Sequence, residues 1–578
     1  MKQLAADAND RIEYDLLLVG GSPSNLALAY RFLELAKVSG KEFAIAILEK
    51  SKEFGAHIVS GAVSNPHILS KICPSYKELN CPIEAICDHS EFSVLGIEKK
   101  WDMPHLFYPK SLDKTGYLVL TLSYVTGWMA NQVQEKAKEA ANVTVDLFTG
   151  FSAHKVVFEQ DRVAGVCVSE DPKSDDDYVF AKFTCFGDKG FISRDVIDRY
   201  KLRNCPQIWS IGIKEVWQCK ESYAGKVWHT LGWPLLDGTF GGGFVYGMSD
   251  NKLTIGMVIS LDSQDPNMNP QLKLQEYKKH PWLQSMISGG KLLKYGAAVL
   301  PEGGYYSLPK RFVVPGALLL GDALGVLDVK SLSGIDRAME CGYIASEVLH
   351  DALLKQDFSI SALEPYQHRL EDSFAVKDMY KNRYFRWAFM ENPRLLGDYL
   401  PAMAKSIDRT SPYLGMLKIG LQHPIRAPLD GIRALSLIEG WKNIGPITYE
   451  PDYKNIVPAF VPPKYDQPHY DKATIYSRPD AVFYASTRYH EGNHHIDEFN
   501  AQVCMKCITK YAGFGKTTPC VADCTAEVHR IDIVGGIKKH GMSLENCIQC
   551  RTCEVVCPEV NLRVNATSQG SGPDFSGL

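Results

Sequence analysis

The sequence predicts a mixed α/β chain that ends in a cysteine-rich domain, and three observations carry this prediction. A strand, a glycine turn, a helix and a second strand follow one another between residues 14 and 49. A further buried strand, at residues 317–320, runs into Gly321 and Asp322 before another helix. Eight of the sixteen cysteines lie between Cys504 and Cys557. Strands that alternate with helices are typical of a parallel sheet covered by helices.

The N-terminal stretch has the parts of a dinucleotide-binding unit. The apolar run Tyr14–Val19 predicts a buried parallel strand. A helix at about residues 24–37 and a second strand, Phe43–Leu48, follow it, and Glu49 ends the unit. In such units the pyrophosphate lies at the helix N-terminus, and the terminal acid binds the ribose hydroxyls.

The glycine fingerprint of this unit is altered. Only Gly20 stands in register, because Ser22 and Asn25 occupy the second and third glycine positions. The second glycine normally lets the backbone approach the pyrophosphate, and the third lets the helix pack on the strand. From this motif alone, nucleotide binding and a purely structural role are both open.

Two further glycine-rich stretches are candidates for contact with a flat ligand. Residues Gly55–Ala62 form a loop bracketed by glycines, and five glycines surround aromatic residues in Gly238–Gly247. Glycine beside an aromatic ring lets a backbone pack closely on a planar group, although a tight hairpin explains the same pattern.

The second cysteine run has the spacing of a bacterial ferredoxin. Its four cysteines follow the pattern C-x2-C-x2-C-x3-C-P, at Cys547, Cys550, Cys553 and Cys557. In that pattern three thiolates bind one cubane and the fourth reaches a different cluster. Zinc prefers two separated pairs of ligands, and disulfides need an oxidising compartment. Iron–sulfur binding is therefore the leading interpretation.

The first run supplies the ligands for that second cluster. It contains Cys504 and Cys507, then Cys520 after a twelve-residue insertion, then Cys524. The exchange rule gives one four-iron cluster to Cys504, Cys507, Cys520 and Cys557. It gives the other to Cys547, Cys550, Cys553 and Cys524.

Composition limits the remaining classes. The chain has 578 residues and a net charge of −4, which argues against a nucleic-acid partner bound through a broad basic surface. Hydrophobic residues make up 45% and charged residues 22%, an ordinary globular composition. The first fifteen residues lack the apolar core of a signal peptide, and no run reaches the length of a spanning helix. A reducing compartment is expected.

Several motifs together resemble one known family. They are Gly20 with Glu49 and Lys50, Gly55–His57 with Ser60–Ala62, Gly232–Leu235, Tyr295–Ala297, Glu302–Gly304, the Cys547, Cys550 and Cys553 triplet, and the ending Ser571–Leu578. In this order they resemble the electron transfer flavoprotein–ubiquinone oxidoreductase family, from about Tyr14 to the C-terminus with gaps near residues 390–500.

The resemblance implies a glutathione-reductase-type FAD-binding Rossmann fold (α+β or α/β) with an inserted β-rich quinone-binding domain and a C-terminal ferredoxin-like iron–sulfur domain. The expected domains are FAD-binding at residues 1–200 and 300–390, a β-rich quinone domain at 201–299, a helical segment and extended linker at 391–490, and a 4Fe-4S domain at 491–578. The implied enzyme passes electrons from reduced electron transfer flavoprotein through FAD and iron–sulfur clusters to a membrane quinone.

The resemblance also implies site residues. FAD contacts are expected at Gly20, Ser22, Asn25, Glu49, His57, Ser60, Gly61, Gly321 and Asp322, with Gly20 and Glu49 facing the adenosine half and Asp322 the ribityl chain. Gly241 and Gly242 match the glycine pair near the quinone. The family's single cluster matches Cys524, Cys547, Cys550 and Cys553, so the other four cysteines are additional. The sequence singles out no acid–base residues.

Residues 413–441 are the candidate for membrane contact. They read as two short helices broken at Pro424 and Pro428, with basic flanks that suit an interfacial segment, and an ordinary pair of surface helices fits equally. Peripheral attachment is expected at the cytoplasmic face of the inner membrane, or at the matrix face of the mitochondrial inner membrane in a eukaryote.

Two alternative functions remain open at this point. In the first, the flavin fold survives as scaffold and only the ferredoxin domain carries electrons, an interpretation that the altered glycine turn favours. In the second, the chain is a flavin-dependent isoprenoid (geranylgeranyl) reductase, which shares the FAD fold but does not explain the eight C-terminal cysteines.

Overall fold

The computed structural model describes residues 13–104, 106, 108, 110–168, 177–263, 265, 268–449, 469–489, 495–567 and 569–578. Residues 450–468 of the predicted linker therefore lie outside the described residues. The strands are β1 (Glu13–Val19), β2 (Phe43–Glu49), β3 (Val63–Ser64), β4 (Ile83–Ile86), β5 (His89–Leu95), β6 (Lys100–Asp102), β7 (Leu118–Leu120), β8 (Val143–Thr149), β9 (Lys155–Glu159), β10 (Arg162–Cys167), β11 (Tyr178–Phe186), β12 (Trp209–Gln218), β13 (Lys226–Gly232), β14 (Gly241–Gly247), β15 (Lys252–Ser260), β16 (Lys291–Pro301), β17 (Val313–Val314), β18 (Ala317–Leu319), β19 (Ile496–Glu498), β20 (His529–Val534), β21 (Ile537–Met542) and β22 (Leu562–Val564).

The helices are α1 (Pro23–Ser39), α2 (Pro66–Ile72), α3 (Leu122–Glu139), α4 (Ser193–Arg199), α5 (Pro270–Lys278), α6 (Pro281–Ile287), α7 (Gly321–Leu324), α8 (Ile335–Lys355), α9 (Ile360–Asp372), α10 (Phe374–Lys381), α11 (Phe385–Glu391), α12 (Leu400–Arg409), α13 (Pro412–Gln422), α14 (Arg426–Ile438), α15 (Arg478–Phe483), α16 (Ala501–Gly513), α17 (Pro519–Ala522) and α18 (Thr552–Val555).

The first sheet has a parallel centre. Its strands run in the order β17-β18-β11-β1-β2-β8, and β10 and β9 extend it as antiparallel neighbours of β11. The pairs β1–β11, β1–β2, β2–β8 and β11–β18 are parallel. This arrangement explains the apolar run in β1, because a central strand covered on both faces has no solvent side. The strand–helix–strand unit expected at residues 14–49 is confirmed.

Helix α1 packs against α8 and α3. Contact with α8 is close because residue 342 is a glycine: a Cβ there would lie 1.9 Å from the Ser24 carbonyl oxygen. Helix α1 is buried along most of its length, including Leu26, Phe32 and Leu33. The N-terminal end of α1 is thereby fixed at the edge of the sheet where β1 ends.

The second sheet is built mainly from residues 209–301. Its strand order is β16-β12-β15-β14-β13-β5-β6, antiparallel except for β13 with β5. The sequence assigned residues 89–102 to the first domain, but β5 and β6 are part of this second sheet. Strand β5 joins this sheet through a parallel pairing with β13, and parallel strands cannot be linked by a hairpin. The local sequence therefore gives no signal that β5 belongs to the second sheet.

The C-terminal region lies against both sheets. Strand β19 pairs with β22, and β20 forms a hairpin with β21. The tail returns to the first sheet, where the Phe575 amide donates to the Ala56 carbonyl oxygen over 2.7 Å. Gly296 on β16 leaves room for the tail, because a Cβ there would lie 2.4 Å from Leu578. The cysteine-rich region is thus held against the α/β core.

Residues 412–438 form two helices, α13 and α14. Pro428 lies in the first turn of α14 and does not break it, which corrects the prediction of a break at that residue. The first turn tolerates proline because its backbone N–H has no helical acceptor. Among the described residues, no helix is both long enough and apolar enough to cross a membrane.

Candidate functional site

A cavity of about 440 Å³ lies between the two sheets. Its polar wall is formed where parallel strands end: Gly20 follows β1, Glu49 ends β2, Lys189 follows β11 and Asp322 follows β18. The carboxyl edge of a parallel sheet is where such folds bind their ligands.

The cavity collects most of the predicted site residues. On its wall lie Gly20, Ser22, Glu49, His57, Ser60, Gly61, Gly321 and Asp322, together with Gly241 and Gly242 of the predicted quinone site. Asn25 is not part of the wall, and its side chain is completely buried behind the turn.

Asn25 stabilises the glycine turn from behind. Its Nδ2 donates to the carbonyl oxygens of Val19 at 3.0 Å and Gly20 at 2.8 Å. Ser22 is the N-cap of α1, and its side chain accepts a hydrogen bond from the Asn25 amide. The turn therefore keeps its shape without the fingerprint glycines, since Gly20 still supplies the left-handed backbone, with φ of 92°.

Glu49 is held by the protein itself. Its Oε2 accepts from the Gly21 amide at 2.9 Å, and its Oε1 accepts from the amide and the hydroxyl of Ser51 at 2.8 and 2.7 Å. A carboxylate offers about four acceptor positions. One position is thus left toward the cavity, enough for a ribose hydroxyl.

Two lysines give the polar wall a positive character. Burial lowers the pKa of Lys50 to about 8, although Glu49 opposes the shift. Burial also lowers the pKa of Lys189, against the attraction of Asp322 and Glu49. Burial raises the pKa of Asp322, although the charge of Lys189 opposes the shift. Within the described chain, the Lys189 side chain forms no ion pair or hydrogen bond, and it lies on the cavity wall, so it is available to an anionic group.

His57, which lies on the cavity wall, also has an unpartnered ring nitrogen among the described residues. This nitrogen, Nδ1, is buried. Burial lowers the pKa of the ring, as do the charges of Lys50 and Lys189. An unpartnered buried nitrogen is costly unless a ligand or water satisfies it. Cationic side chains, a helix N-terminus and this nitrogen together fit a dinucleotide such as FAD.

The other end of the cavity is apolar. Phe240, Phe244, Phe385 and Phe389 line it beside the glycines of β14. Neighbouring residues of the protein leave no room for a side chain at these glycines. A Cβ on Gly241 would lie 2.3 Å from the Val258 carbonyl oxygen, and a Cβ on Gly242 or Gly243 would be similarly crowded. The chemistry of this end suits a ring with an apolar substituent.

The cysteines fall into two groups in the structure. All sixteen lie in the described part of the chain, and all are free thiols, so the disulfide interpretation fails. The pKa of the Cys553 thiol is raised well above its usual range by burial and then by its neighbours Cys550, Cys547 and Cys524. These four are the thiols that the exchange rule assigned together.

The first group assembles in the same way. Burial raises the pKa of the Cys520 thiol to about 12. The hydrogen bond with Thr518 opposes this shift, and the neighbouring thiols of Cys557, Cys507 and Cys504 add to it. Each group thus offers four thiols that influence one another electrostatically, which is the ligand number of one four-iron cluster. The donor sets therefore fit two iron–sulfur clusters.

Backbone and amide donors point at several of these sulfurs. The Gln549 amide donates to Cys547 Sγ at 3.3 Å and the Asn561 amide to Cys557 Sγ at 3.2 Å. Asn561 Nδ2 also reaches Cys504 Sγ, at 3.1 Å. Hydrogen bonds to sulfur are one of the means by which proteins set cluster potentials.

The first cysteine group, the second cysteine group and the cavity are neighbours in that order. Cys520 of the first group acts electrostatically on Cys553 of the second. Gln549, between two cysteines of the second group, lies on the cavity wall and accepts a hydrogen bond from Lys50. The second group is thus the nearer one to the cavity.

Sequence reasoning missed three polar residues beside the first group. His540 Nδ1 bonds Glu498 Oε2 at 2.6 Å, and His540 Nε2 bonds His529 Nδ1 at 2.9 Å. Ligand atoms of Cys520, His529 and His540 lie within 4.8 Å of one another. No spacing rule predicts this contact, because β20 and β21 bring the histidines together only when the hairpin forms.

Helices α13 and α14 expose many apolar side chains. Leu414, Leu417, Leu421, Ile425, Leu429, Ile432, Leu435 and Trp441 are each about half exposed or more. Soluble monomers rarely leave a contiguous apolar patch of this kind uncovered.

Comparison with solved structures identifies the fold class. The chain is similar to a geranylgeranyl bacteriochlorophyll reductase-like protein from Thermoplasma acidophilum, with 18% identity, a TM-score of 0.52 and coverage of 73% of this chain and 100% of that one. It is also similar to the myxobacterial chondrochloren halogenase, described as a variant of FAD-dependent halogenases, with 17% identity, a TM-score of 0.50 and coverage of 75% of this chain and 94% of that one. The two large sheets thus have the fold of FAD-dependent enzymes.

Sequence comparison is more specific. A family model described as ETF-QO, ubiquinone-binding matches residues 209–300. Proteins named electron transfer flavoprotein-ubiquinone oxidoreductase match over 98% of this chain: 28% identity in Oryza sativa, covering 93% of that protein, 28% in Pseudomonas aeruginosa, covering 99%, and 27% in Homo sapiens, covering 89%. The resemblance to the electron transfer flavoprotein–ubiquinone oxidoreductase family is confirmed.

Proposed function

We propose that this chain is an oxidoreductase that passes electrons from reduced electron transfer flavoprotein, through iron–sulfur clusters and FAD, to a membrane quinone. The observation that carries the proposal is one continuous arrangement: two groups of four thiols, the second of which adjoins a cavity with a cationic polar end and an apolar end.

FAD would occupy the polar end. The α1 N-terminus, Lys50 and Lys189 would hold the pyrophosphate, Glu49 would bind a ribose hydroxyl, and His57 Nδ1 would meet a polar atom of the cofactor. When bound, FAD supplies the ability to take electrons singly and pass them on. The protein orients it and excludes water.

The iron–sulfur clusters would form a relay. Cys524, Cys547, Cys550 and Cys553 would bind the cluster beside the cavity, and Cys504, Cys507, Cys520 and Cys557 the outer one. In the second group Cys524, Cys547 and Cys553 are buried, whereas every cysteine of the first group is partly exposed. The first group is therefore the more accessible to a protein donor.

The quinone would enter at the apolar end, beside Gly241 and Gly242. The cavity wall there includes residues of α11, which is followed in the chain by α12, α13 and α14. We propose that α13 and α14 attach the protein to the bilayer surface, because their exposed leucines and isoleucines suit the headgroup boundary. Attachment would be peripheral, at the cytoplasmic face of the inner membrane or the mitochondrial matrix face.

The two alternatives are less well supported. An electron-wire subunit without flavin needs no cavity that presents, among the described residues, an unpaired Lys189 and an unpartnered His57 nitrogen. An isoprenoid reductase shares the fold but has no use for eight cysteines arranged in two groups.

The cofactor content of anaerobically purified protein tests the proposal. We expect stoichiometric, acid-releasable FAD and the broad visible absorption of iron–sulfur clusters. Protein that contains iron but no flavin would favour the electron-wire alternative, and flavin without iron would favour the reductase.

A further inference from the structure

Quinone reduction needs protons as well as electrons. Each quinone takes up two electrons and two protons to become a quinol, and iron–sulfur clusters carry only the electrons. A quinone bound in a closed, apolar cavity therefore needs a proton donor within hydrogen-bond reach. The sequence singled out no such group, but the structure contains one.

His229 and Tyr246 lie together on the cavity wall. They belong to β13 and β14, in which His229 pairs with Phe244, so that Tyr246 is the diagonal neighbour on the same face. His229 Nε2 and the Tyr246 hydroxyl are 2.9 Å apart, and the two rings meet edge to face. Both residues line the cavity with Gly241 and Gly242.

The pair stands where the two ends of the cavity meet. A Cβ added to Gly61, in the loop predicted to contact the flavin, would lie 3.8 Å from the Tyr246 hydroxyl oxygen. Tyr246 is also stacked on Phe244 of the apolar end. A quinone ring in front of the flavin would therefore be close to this hydroxyl.

One polar atom of the pair lacks a partner. His229 is 3% exposed, and its Nδ1 makes no hydrogen bond to the described residues. Tyr277, a second buried phenol, is already bonded to Thr230 Oγ1 at 2.9 Å and is not part of the wall. The free nitrogen points to a ligand or to water that delivers protons.

Resting on the function proposed above, we infer that Tyr246 donates one of the two protons to the bound quinone and that His229 resupplies Tyr246. In this transfer the Tyr246 O–H bond breaks and an O–H bond forms on the reduced quinone's oxygen nearer to Tyr246, and the opposite oxygen takes its proton from water. His229 Nε2 then gives its proton to the phenolate oxygen. Nδ1 takes a proton from water that enters the cavity, and exchange with water restores the starting tautomer.

The charges around the pair suit a relay. Burial, and after it the charge of Lys114, lower the pKa of His229 to about 3, so the ring passes protons without storing one. Burial raises the pKa of Tyr246, as do Tyr277 and Cys87, so the hydroxyl keeps its proton until an acceptor arrives. Lys114, also on the wall, donates to the carbonyl oxygens of Ser111 at 3.0 Å and Ser331 at 2.7 Å, and burial lowers its pKa to about 8.

The test compares two electron acceptors in the complete protein. Tyr246→Phe keeps the ring and removes the hydroxyl, and Tyr277→Phe is the matched control, a buried tyrosine off the wall. With reduced electron transfer flavoprotein as donor, one acceptor is a short-chain ubiquinone and the other is ferricenium, which takes one electron and no proton. Flavin and iron content are checked for each variant.

We expect Tyr246→Phe to lower kcat for ubiquinone by roughly 10²-fold, with KM and the calorimetric Kd for the quinone within about twofold and the ferricenium rate unchanged. His229→Gln, a change in a positioning residue, should lower the same kcat with the same acceptor selectivity, and Tyr277→Phe should change neither rate. Equal loss with both acceptors, or an unchanged ubiquinone rate in Tyr246→Phe, would overturn the inference. Wild-type protein that reduces ferricenium but no ubiquinone would refute the proposed function itself.

Discussion

Gly187 lies directly opposite Asn25, so that a Cβ on Gly187 would approach Asn25 Nδ2 to 2.7 Å. The glycine that permits the close approach of α1 to the sheet therefore lies just after β11, and not on the helix itself. This explains how Asn25 can occupy a fingerprint position without opening the turn. The close packing of the turn consequently depends on Gly187.

The first prediction follows from that contact. Gly187→Ala should lower the free energy of unfolding by about 1–3 kcal/mol, because the methyl group overpacks a buried contact, and should reduce flavin retention. Urea denaturation and flavin released per chain measure the two effects. Gly431→Ala is the control, because a Cβ there meets nothing within 4 Å and should be neutral or slightly stabilising.

Lys214 gives a pH-dependent prediction. Its Nζ donates to the Ser60 carbonyl oxygen at 2.8 Å, and burial lowers its pKa from 10.5 to about 7, against the pull of Glu84. Between these values the unfolded chain keeps a proton that the folded protein has released. The contribution of this lysine to stability therefore rises with pH through that window.

Lys214→Met should stabilise flavin-free protein, and more at pH 6 than at pH 9. The difference between the two gains should reach about 3 kcal/mol, since the pH window from about 7 to 9 spans about two units and one unit corresponds to about 1.4 kcal/mol. Denaturation curves at both pH values measure it. Lys138→Met, at an exposed position, should show no such dependence, and an equal gain for Lys214→Met at both pH values would contradict the prediction.

The exchange of ligands between the cysteine runs is also testable. Anaerobic protein should contain about eight irons per chain, falling toward about four in Cys557→Ser, with the spectrum of the other cluster intact. Cys219→Ser, a buried thiol outside both runs, should keep all its iron. About four irons in the wild type would reject the outer cluster.

The exposed face of α13 and α14 predicts membrane binding. Leu421 and Ile425 are 72% and 75% exposed. Replacing both with glutamate should weaken liposome binding by about tenfold or more, because each removes an apolar side chain from the interface. Val38→Glu, at a residue 90% exposed on α1, should have no effect. If wild-type protein fails to bind liposomes at low salt, the segment is not a membrane anchor.

Local sequence patterns were sufficient to predict the features whose residues lie close together in the sequence. The unit β1–α1–β2 follows from apolar periodicity and the glycine turn, and the grouping of the eight thiols follows from their spacing. The compensation of Asn25 by Gly187 could not be predicted, because it joins residues far apart in the sequence. The same holds for β5 in the second sheet and for the pair His229 and Tyr246, which only the register of β13 and β14 brings together.

Electron flow from reduced electron transfer flavoprotein to a short-chain ubiquinone, followed anaerobically at the flavin and cluster absorption bands, tests the central claim most directly. Wild-type protein should reduce the quinone with turnover, and Cys550→Ser should lower the rate by roughly 10²-fold or more while it retains its flavin. Wild-type protein that holds its full flavin and iron but passes no electrons to the quinone would contradict the account, as would full turnover in Cys550→Ser.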